Sequence, residues 1–144
     1  MKAFLLFVVF LSFLNAQLTR DDEKEIVFDN QTNLSWQDNR DAKITTRSFK
    51  EAISWCEEFA FAGYDDWRLP SVDELFTIVD KIKQKPAIKD GFKYIISSYY
   101  WTSTEHEKNT GRSWFVSFDN GYRYSYHQKR KFFIRCVRDG VKKD

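Results

Sequence analysis

The sequence predicts an α+β fold, two helices packed beside antiparallel strands and closed by one disulfide. Three observations carry this. Two stretches open with Ser-x-x-Glu, the capping-box pattern, and continue with apolar residues at helical spacing. Several short runs alternate apolar and polar residues between turn-forming clusters. The only two cysteines, Cys56 and Cys136, fall in the first helical stretch and the last strand-like run.

In chain order, residues 17–25 are polar and charged and read as a flexible lead-in. Ile26-Val27-Phe28 is a short strand, Asp29 to Asn33 a turn cluster, and Leu34-Ser35-Trp36 the return strand of a hairpin. Ser48-Phe49-Lys50-Glu51 caps a helix over about 49–61, with Ala52, Ile53, Cys56, Phe59 and Ala60 on its apolar stripe. Gly63 supplies the stop, because glycine accepts the left-handed conformation that ends helices. Ser71-Val72-Asp73-Glu74 caps a second helix over about 72–83, with Leu75, Phe76, Val79 and Ile82 facing inward and Pro86 barring extension. Residues 84–98 have no clear period and form a long loop. Tyr99 to Ser103 is strand-like, and 106–112 is a polar loop. Ser113 to Phe118 follows, with Trp114, Val116 and Phe118 on one face. Asp119-Asn120-Gly121 is a hairpin turn, since Asn-Gly readily takes positive φ at both central positions. Tyr122, Tyr124 and Tyr126 alternate on the return strand, and Phe132 to Val137 is a final strand carrying Cys136.

Residues 1–16 read as a secretory signal: Met1-Lys2, an apolar run from Ala3 to Phe13 broken only by Ser12, then Leu14-Asn15-Ala16. The run is too short for a comfortable bilayer span, and no second one follows, so no membrane span is expected after cleavage. Leu14 is larger than the usual small residue three before a cut, and the alternative is an uncleaved anchor. The chain is expected to be exported, to the periplasm, the cell surface or the medium. A net charge of +2, one less without Lys2, predicts no global attraction to nucleic acid or anionic membranes. Any electrostatic partner must be met by a local patch. In an exported protein a lone cysteine pair is most simply a disulfide, worth ~4–5 kcal/mol for so long a loop in the chain-entropy model. A pair of reactive thiols is the alternative, though neither cysteine sits in a Cys-x-x-Cys motif.

A family pattern then emerges. Its first part is Asp29 with Thr32-Asn33-Leu34 and Trp36, then Ala52 with Trp55-Cys56. Gly63-Tyr64-Asp65-Asp66-Trp67-Arg68-Leu69-Pro70 with Glu74-Leu75 follows. The later blocks are Tyr100 to Thr104, Trp114 to Phe118 with Gly121, and Ile134-Arg135-Cys136-Val137-Arg138. Together these resemble the Lcl C-terminal domain family, named for the C-terminal domain of a Legionella collagen-like protein. The resemblance covers about 26–139, which sets the expected domain, with 140–144 as a short tail. It implies a C-type lectin-like fold with a disulfide from first helix to last strand, and a bacterial exported or surface protein. Some members of the family resemble adhesins for sulfated, polyanionic glycans. The collagen-like stalk is not in this sequence, so multimeric adhesion is not carried over.

The candidate ligand-binding residues lie in the last hairpin: Tyr122, Arg123, Tyr124, Tyr126, His127, Lys129, Arg130 and Lys131. Tyrosines stack on sugar rings and a basic cluster attracts sulfate or carboxylate. If the strand persists, the tyrosines share one face while Arg123 and Ser125 share the other. The bland alternative is a solvated edge whose charges block sheet-to-sheet association. Trp67-Arg68-Leu69-Pro70 is expected to be structural, Trp67 and Leu69 in the core and Arg68 paired with Asp66 or Glu74. Calcium is not expected. The Glu-Pro-Asn, Gln-Pro-Asp and Trp-Asn-Asp signatures of sugar-binding C-type lectins do not occur, and residues 84–98 hold a single acid, Asp90.

For catalysis the inventory is thin. His106 and His127 are the only histidines, both placed in loops, and there is no phosphate loop or metal-ligand spacing. Formylglycine-generating enzymes share the broad fold, but their chemistry uses cysteines, which the disulfide here would consume. The expectation is a non-enzymatic, cofactor-free binding module for an extracellular glycan or anionic surface, gripped by the 122–131 hairpin and the neighbouring 84–98 loop. A structural or protein-interaction subunit of an envelope assembly is the alternative.

Overall fold

The computed structural model describes residues 18–140. The signal segment 1–16 and the 141–144 end of the expected tail lie outside these residues. Nine strands and three short helices occur among the described residues, in the order β1 (Leu18–Asp21), β2 (Ile26–Asp29), β3 (Leu34–Gln37), α1 (Asp41–Ile44), β4 (Thr46–Arg47), α2 (Phe49–Glu57), α3 (Val72–Phe76), β5 (Tyr99–Glu105), β6 (Arg112–Ser117), β7 (Arg123–His127), β8 (Phe132–Phe133) and β9 (Val137–Asp139). They form two sheets. One has the order β1-β2-β3-β9, the other β4-β8-β5-β6-β7. The fold is α+β as expected, but two sheets do most of the layering.

Strand alternation sorts the core into two clusters. Tyr100, Val116 and Phe133 face one way from the second sheet and meet Val27, Trp36 and Val137 of the first, with Leu75 of α3. Trp101, Phe115 and Phe132, one residue out of phase, face the other way and meet Phe49, Ala52 and Cys56 of α2 with Trp67 and Leu69. The second sheet is therefore buried on both faces over part of its area. Cys56 is bonded to Cys136, Cα atoms 5.6 Å apart, which ties α2 to the chain just before β9.

Several expectations need correction. The 17–25 lead-in contains β1, which pairs with β2 from Leu18↔Asp29 to Asp21↔Ile26. Gly140, the first residue of the expected short tail, donates to Asn33 O at 2.6 Å, and a Cβ there would lie 2.7 Å from Phe28. The first helix stops at Glu57, and beyond it Phe59 stacks on Trp55 while Phe61 stacks on Phe59. Gly63, φ +83, lies in a separate turn between the bridged Phe61 and Tyr64. The second helix stops at Phe76, because Val79 bridges Ile88 and Asp80 N–H bonds Ala87 O. Ile82, expected inside, is 93% exposed. The Asn-Gly turn is wider than a two-residue hairpin. Only Gly121 takes positive φ, and the loop closes through Ser117 N–H to Tyr122 O at 2.8 Å. A Cβ on Gly121 would come within 3.1 Å of Val79, so the turn is seated on the core. The final strand is split: β8 belongs to one sheet, β9 to the other, and Ile134 to Cys136 cross between them.

That crossing explains Arg135, which is fully buried, and its partner Asp38, also fully buried. Arg135 Nη1 donates to Gln37 O at 2.5 Å and Asp38 Oδ1 at 3.1 Å, and Nη2 donates to Tyr94 O. Asp38 also accepts from Arg20 Nε at 2.7 Å and from the backbone N–H groups of Lys93 at 2.8 Å and Tyr94 at 3.0 Å. A buried carboxylate with this many donors is satisfied, whereas its removal strands a buried guanidinium. Asp38→Ala is therefore expected to cost roughly 3–5 kcal/mol in urea unfolding. Asp22→Ala, which removes an exposed partner of Arg20, should cost less than about 1 kcal/mol.

Candidate functional site: an aromatic groove and its supports

The groove lies on the second sheet where α2 no longer covers it. It is lined by Tyr99, Phe115, Tyr124, Tyr126, Arg130 and Phe132, with a volume of about 260 Å³. The register explains the set. Phe115 pairs with Tyr124, and Ser113 with Tyr126, so both tyrosines fall on the Phe115 face. Tyr99 pairs with Ser117, on that same face. Phe115 and Phe132, 4.7 Å apart between centroids, are buried beneath. Tyr99 lies 4.9 Å from Phe115 and 5.5 Å from Phe132, Tyr124 lies 5.7 Å from Phe115, and Tyr126 lies 6.0 Å from Phe132. The three tyrosines remain 36–44% exposed. This offers ring faces to a ligand while the rings' inner edges are held by packing.

Arg130 gives the groove its charge. Its guanidinium carbon sits 5.7 Å from the Tyr126 ring centroid. Its backbone is anchored, because Trp101 Nε1 donates to Arg130 O at 3.2 Å and Arg130 N–H to His127 O at 3.2 Å. His127, expected in a loop, ends β7 and packs its ring 4.5 Å from Tyr126.

Of the eight candidates, Tyr124, Tyr126 and Arg130 come together in the groove. Tyr122 lies beyond it, 65% exposed and 6.4 Å from Tyr124. Lys129 and Lys131 are exposed on the turn that carries Arg130. Arg123 does not join them. It projects from the opposite face, bonding Asp73 Oδ1 at 3.1 Å and lying 5.2 Å from the Phe76 centroid. The 84–98 loop does not line the groove either. It is fastened to the 118–121 turn through Ala87 N–H to Phe118 O at 2.7 Å and Phe118 N–H to Ser98 O at 2.9 Å. Tyr99, Phe115 and Phe132 were missed as groove residues, although Phe115 is out of phase with Trp114 and Val116, a signal that the strand has two apolar faces.

Trp67 and Leu69 are buried, and Arg68 exchanges backbone hydrogen bonds with Val137 at 2.8 and 2.9 Å. The Arg68 guanidinium forks onto Glu74 at 2.6 and 2.7 Å and reaches Asp139 at 3.1 Å. Glu74 also completes the capping box by accepting from Ser71 N–H. Asp66, the other carboxylate considered for Arg68, pairs instead with Arg138 at 2.7 and 3.0 Å. Arg138 in turn stacks on Tyr64, 3.6 Å from its centroid. Hydrogen bonding from Arg68 holds the Glu74 carboxyl below its ordinary 4.5, and Arg138 lowers Asp66 in the same way. No group of three or more His, Cys, Asp or Glu side chains is placed to hold a metal among the described residues.

A disulfide-closed α+β domain of two sheets, displaying an open aromatic groove on one of them, is the class these features define. The chain belongs to the Lcl C-terminal domain family, whose model matches residues 25–138. Strand β1 lies ahead of the matched region. No curated protein matches the chain. No helix among the described residues is long and apolar enough to cross a membrane.

Because Glu74 has a lowered pKa in the fold, its contribution is complete above the unfolded carboxyl's ordinary 4.5 and fades as pH falls through the folded value. The stability gap between wild type and Glu74→Gln, followed by urea unfolding from pH 7 to pH 3, is expected to stay constant down to about pH 5 and then to shrink.

Proposed function

We propose that the chain is a non-enzymatic, exported binding module of C-type lectin-like fold that grips an acidic or sulfated extracellular glycan without calcium. The observation that carries this is the meeting of Tyr99, Tyr124 and Tyr126 with Arg130 over a buried Phe115–Phe132 base. A pyranose ring has apolar C–H faces that suit tyrosine rings, and its sulfate or carboxylate suits a guanidinium. The groove is open, which suits a chain-like ligand passing across it. Lys129 and Lys131 add local positive charge to a chain whose net charge is small. Family membership supports an extracellular role, and the disulfide supports an oxidising compartment. Both cysteines are consumed in that bond, leaving no thiol among them for cysteine chemistry.

The direct test is retention of the mature chain, from Gln17, on a sulfated-glycan column near physiological salt. Tyr124→Ala and Arg130→Ala are each expected to shorten retention, the latter also reducing its dependence on salt because exposed charge pairs are screened over about 8 Å. Arg123→Ala, on the opposite face, should leave retention unchanged. Equal loss in all three variants would point to diffuse charge. No retention of the wild type would remove glycan as the ligand class and favour an envelope-protein partner.

A further inference from the structure

Among the described residues, Ile82 is the large apolar side chain that the fold leaves most exposed, at 93%. It stands at the tip of Lys81-Ile82-Lys83-Gln84-Lys85, so lysines flank it on both sides. Single exposed apolar residues are ordinary on protein surfaces. Two features separate this one. The first is that the tip is held. Ile82 N–H donates to Asp80 Oδ1 at 3.1 Å, and Lys83 N–H to Asp80 O at 3.2 Å. Lys85 N–H donates to Asp119 O at 3.1 Å and Asp80 N–H to Ala87 O at 3.2 Å, closing both ends of the tip onto the core. The backbone that carries the side chain is therefore held in place.

The second is charge. From Asp80 to Lys93 the lysines are Lys81, Lys83, Lys85, Lys89 and Lys93, against Asp80 and Asp90. Asp90 is engaged by Lys83, and Asp80 is turned to its own backbone. Lys81 lies 4.9 Å from the Phe76 ring, and Arg123 lies 5.2 Å from the same ring, so one more cation borders the tip.

We propose that this tip is a peripheral docking point for an anionic lipid bilayer, Ile82 entering the headgroup–acyl boundary while Lys81 and Lys85 meet lipid phosphates. An exposed apolar residue ringed by cations matches that interface, where both burial and anionic charge are available. A polyanionic glycan offers the charge but nothing in which to bury Ile82. The site lies away from the aromatic groove, so the two readings stand or fall separately.

The test is flotation of the mature chain with vesicles of phosphatidylcholine alone or mixed with phosphatidylglycerol. The mixed vesicles should bind it and the neutral ones should not. Ile82→Ser is expected to lower partitioning by about tenfold or more, and the Lys81→Gln/Lys85→Gln pair by about fivefold per lysine. Tyr124→Ala should leave vesicle binding intact, and Ile82→Ser should leave glycan retention intact. Because Ile82 is exposed, its variant should keep the wild-type melting temperature, which separates lost docking from lost folding. Equal binding by wild type and Ile82→Ser, or no binding to the mixed vesicles, would overturn the proposal. So would vesicle binding lost only in the groove variant.

Discussion

Three separate pieces of chain meet at the Asp38 carboxylate, out of contact with water. The residue follows β3 directly. It receives Arg135 from the segment that crosses between the sheets, Arg20 from β1, and two backbone N–H groups from the long loop at Lys93 and Tyr94. An ionised carboxylate buried without partners would be far too costly to keep, so each of these donors matters to the others. Arg135 supplies the complementary half. Its guanidinium also lies 5.0 Å from the Phe92 ring and 5.8 Å from Tyr100, and it takes the Tyr94 carbonyl. The next residue is Cys136, bonded to α2. Charge pairing and covalent bonding thus act on adjacent residues of the one segment shared by both sheets.

This node accounts for how an irregular loop holds its shape. Residues 84–98 make almost no regular structure, yet their backbone groups are taken up by Asp38, by Ile78 O through Lys89 N–H at 2.9 Å, and by the 118–121 turn. Tyr100 closes the other side, its hydroxyl donating to Ala42 O at 2.6 Å and accepting from Ile96 N–H at 3.3 Å. Desolvation raises the pKa of that buried phenol, so it stays protonated and keeps its donor role. With the loop fixed, β5 starts at Tyr99 in the register that turns its ring into the groove.

The short pieces that carry their own signals were legible from sequence. The first hairpin is where its turn cluster put it, and both Ser-Glu capping pairs begin helices, although only Ser71–Glu74 forms the reciprocal pair. The alternation of Tyr122, Tyr124 and Tyr126 against Arg123 and Ser125 predicted the two faces of β7. Helix ends were not legible. The apolar spacing through Val79 and Ile82 continues the helical period, but Val79 is claimed by a bridge to Ile88 that is invisible in local sequence. The split of the last strand was equally hidden, because the pairing of Arg135 with Asp38 joins residues 97 apart in the chain. At the groove, Tyr124, Tyr126 and Arg130 could be read, whereas Tyr99, Phe115 and Phe132 join them only through pairing between strands far apart in the chain.

The central claim is that the Asp38–Arg135 pair holds the long loop to both sheets as one cooperative unit. Native-state hydrogen exchange at the amides of Lys93 and Tyr94 tests it most directly. If the claim is right, both amides exchange only through global unfolding, with the same free energy as the core amide of Val116 and the same response to denaturant. Fast exchange at Lys93 and Tyr94, with Val116 still protected, would show that the loop opens independently and would contradict it.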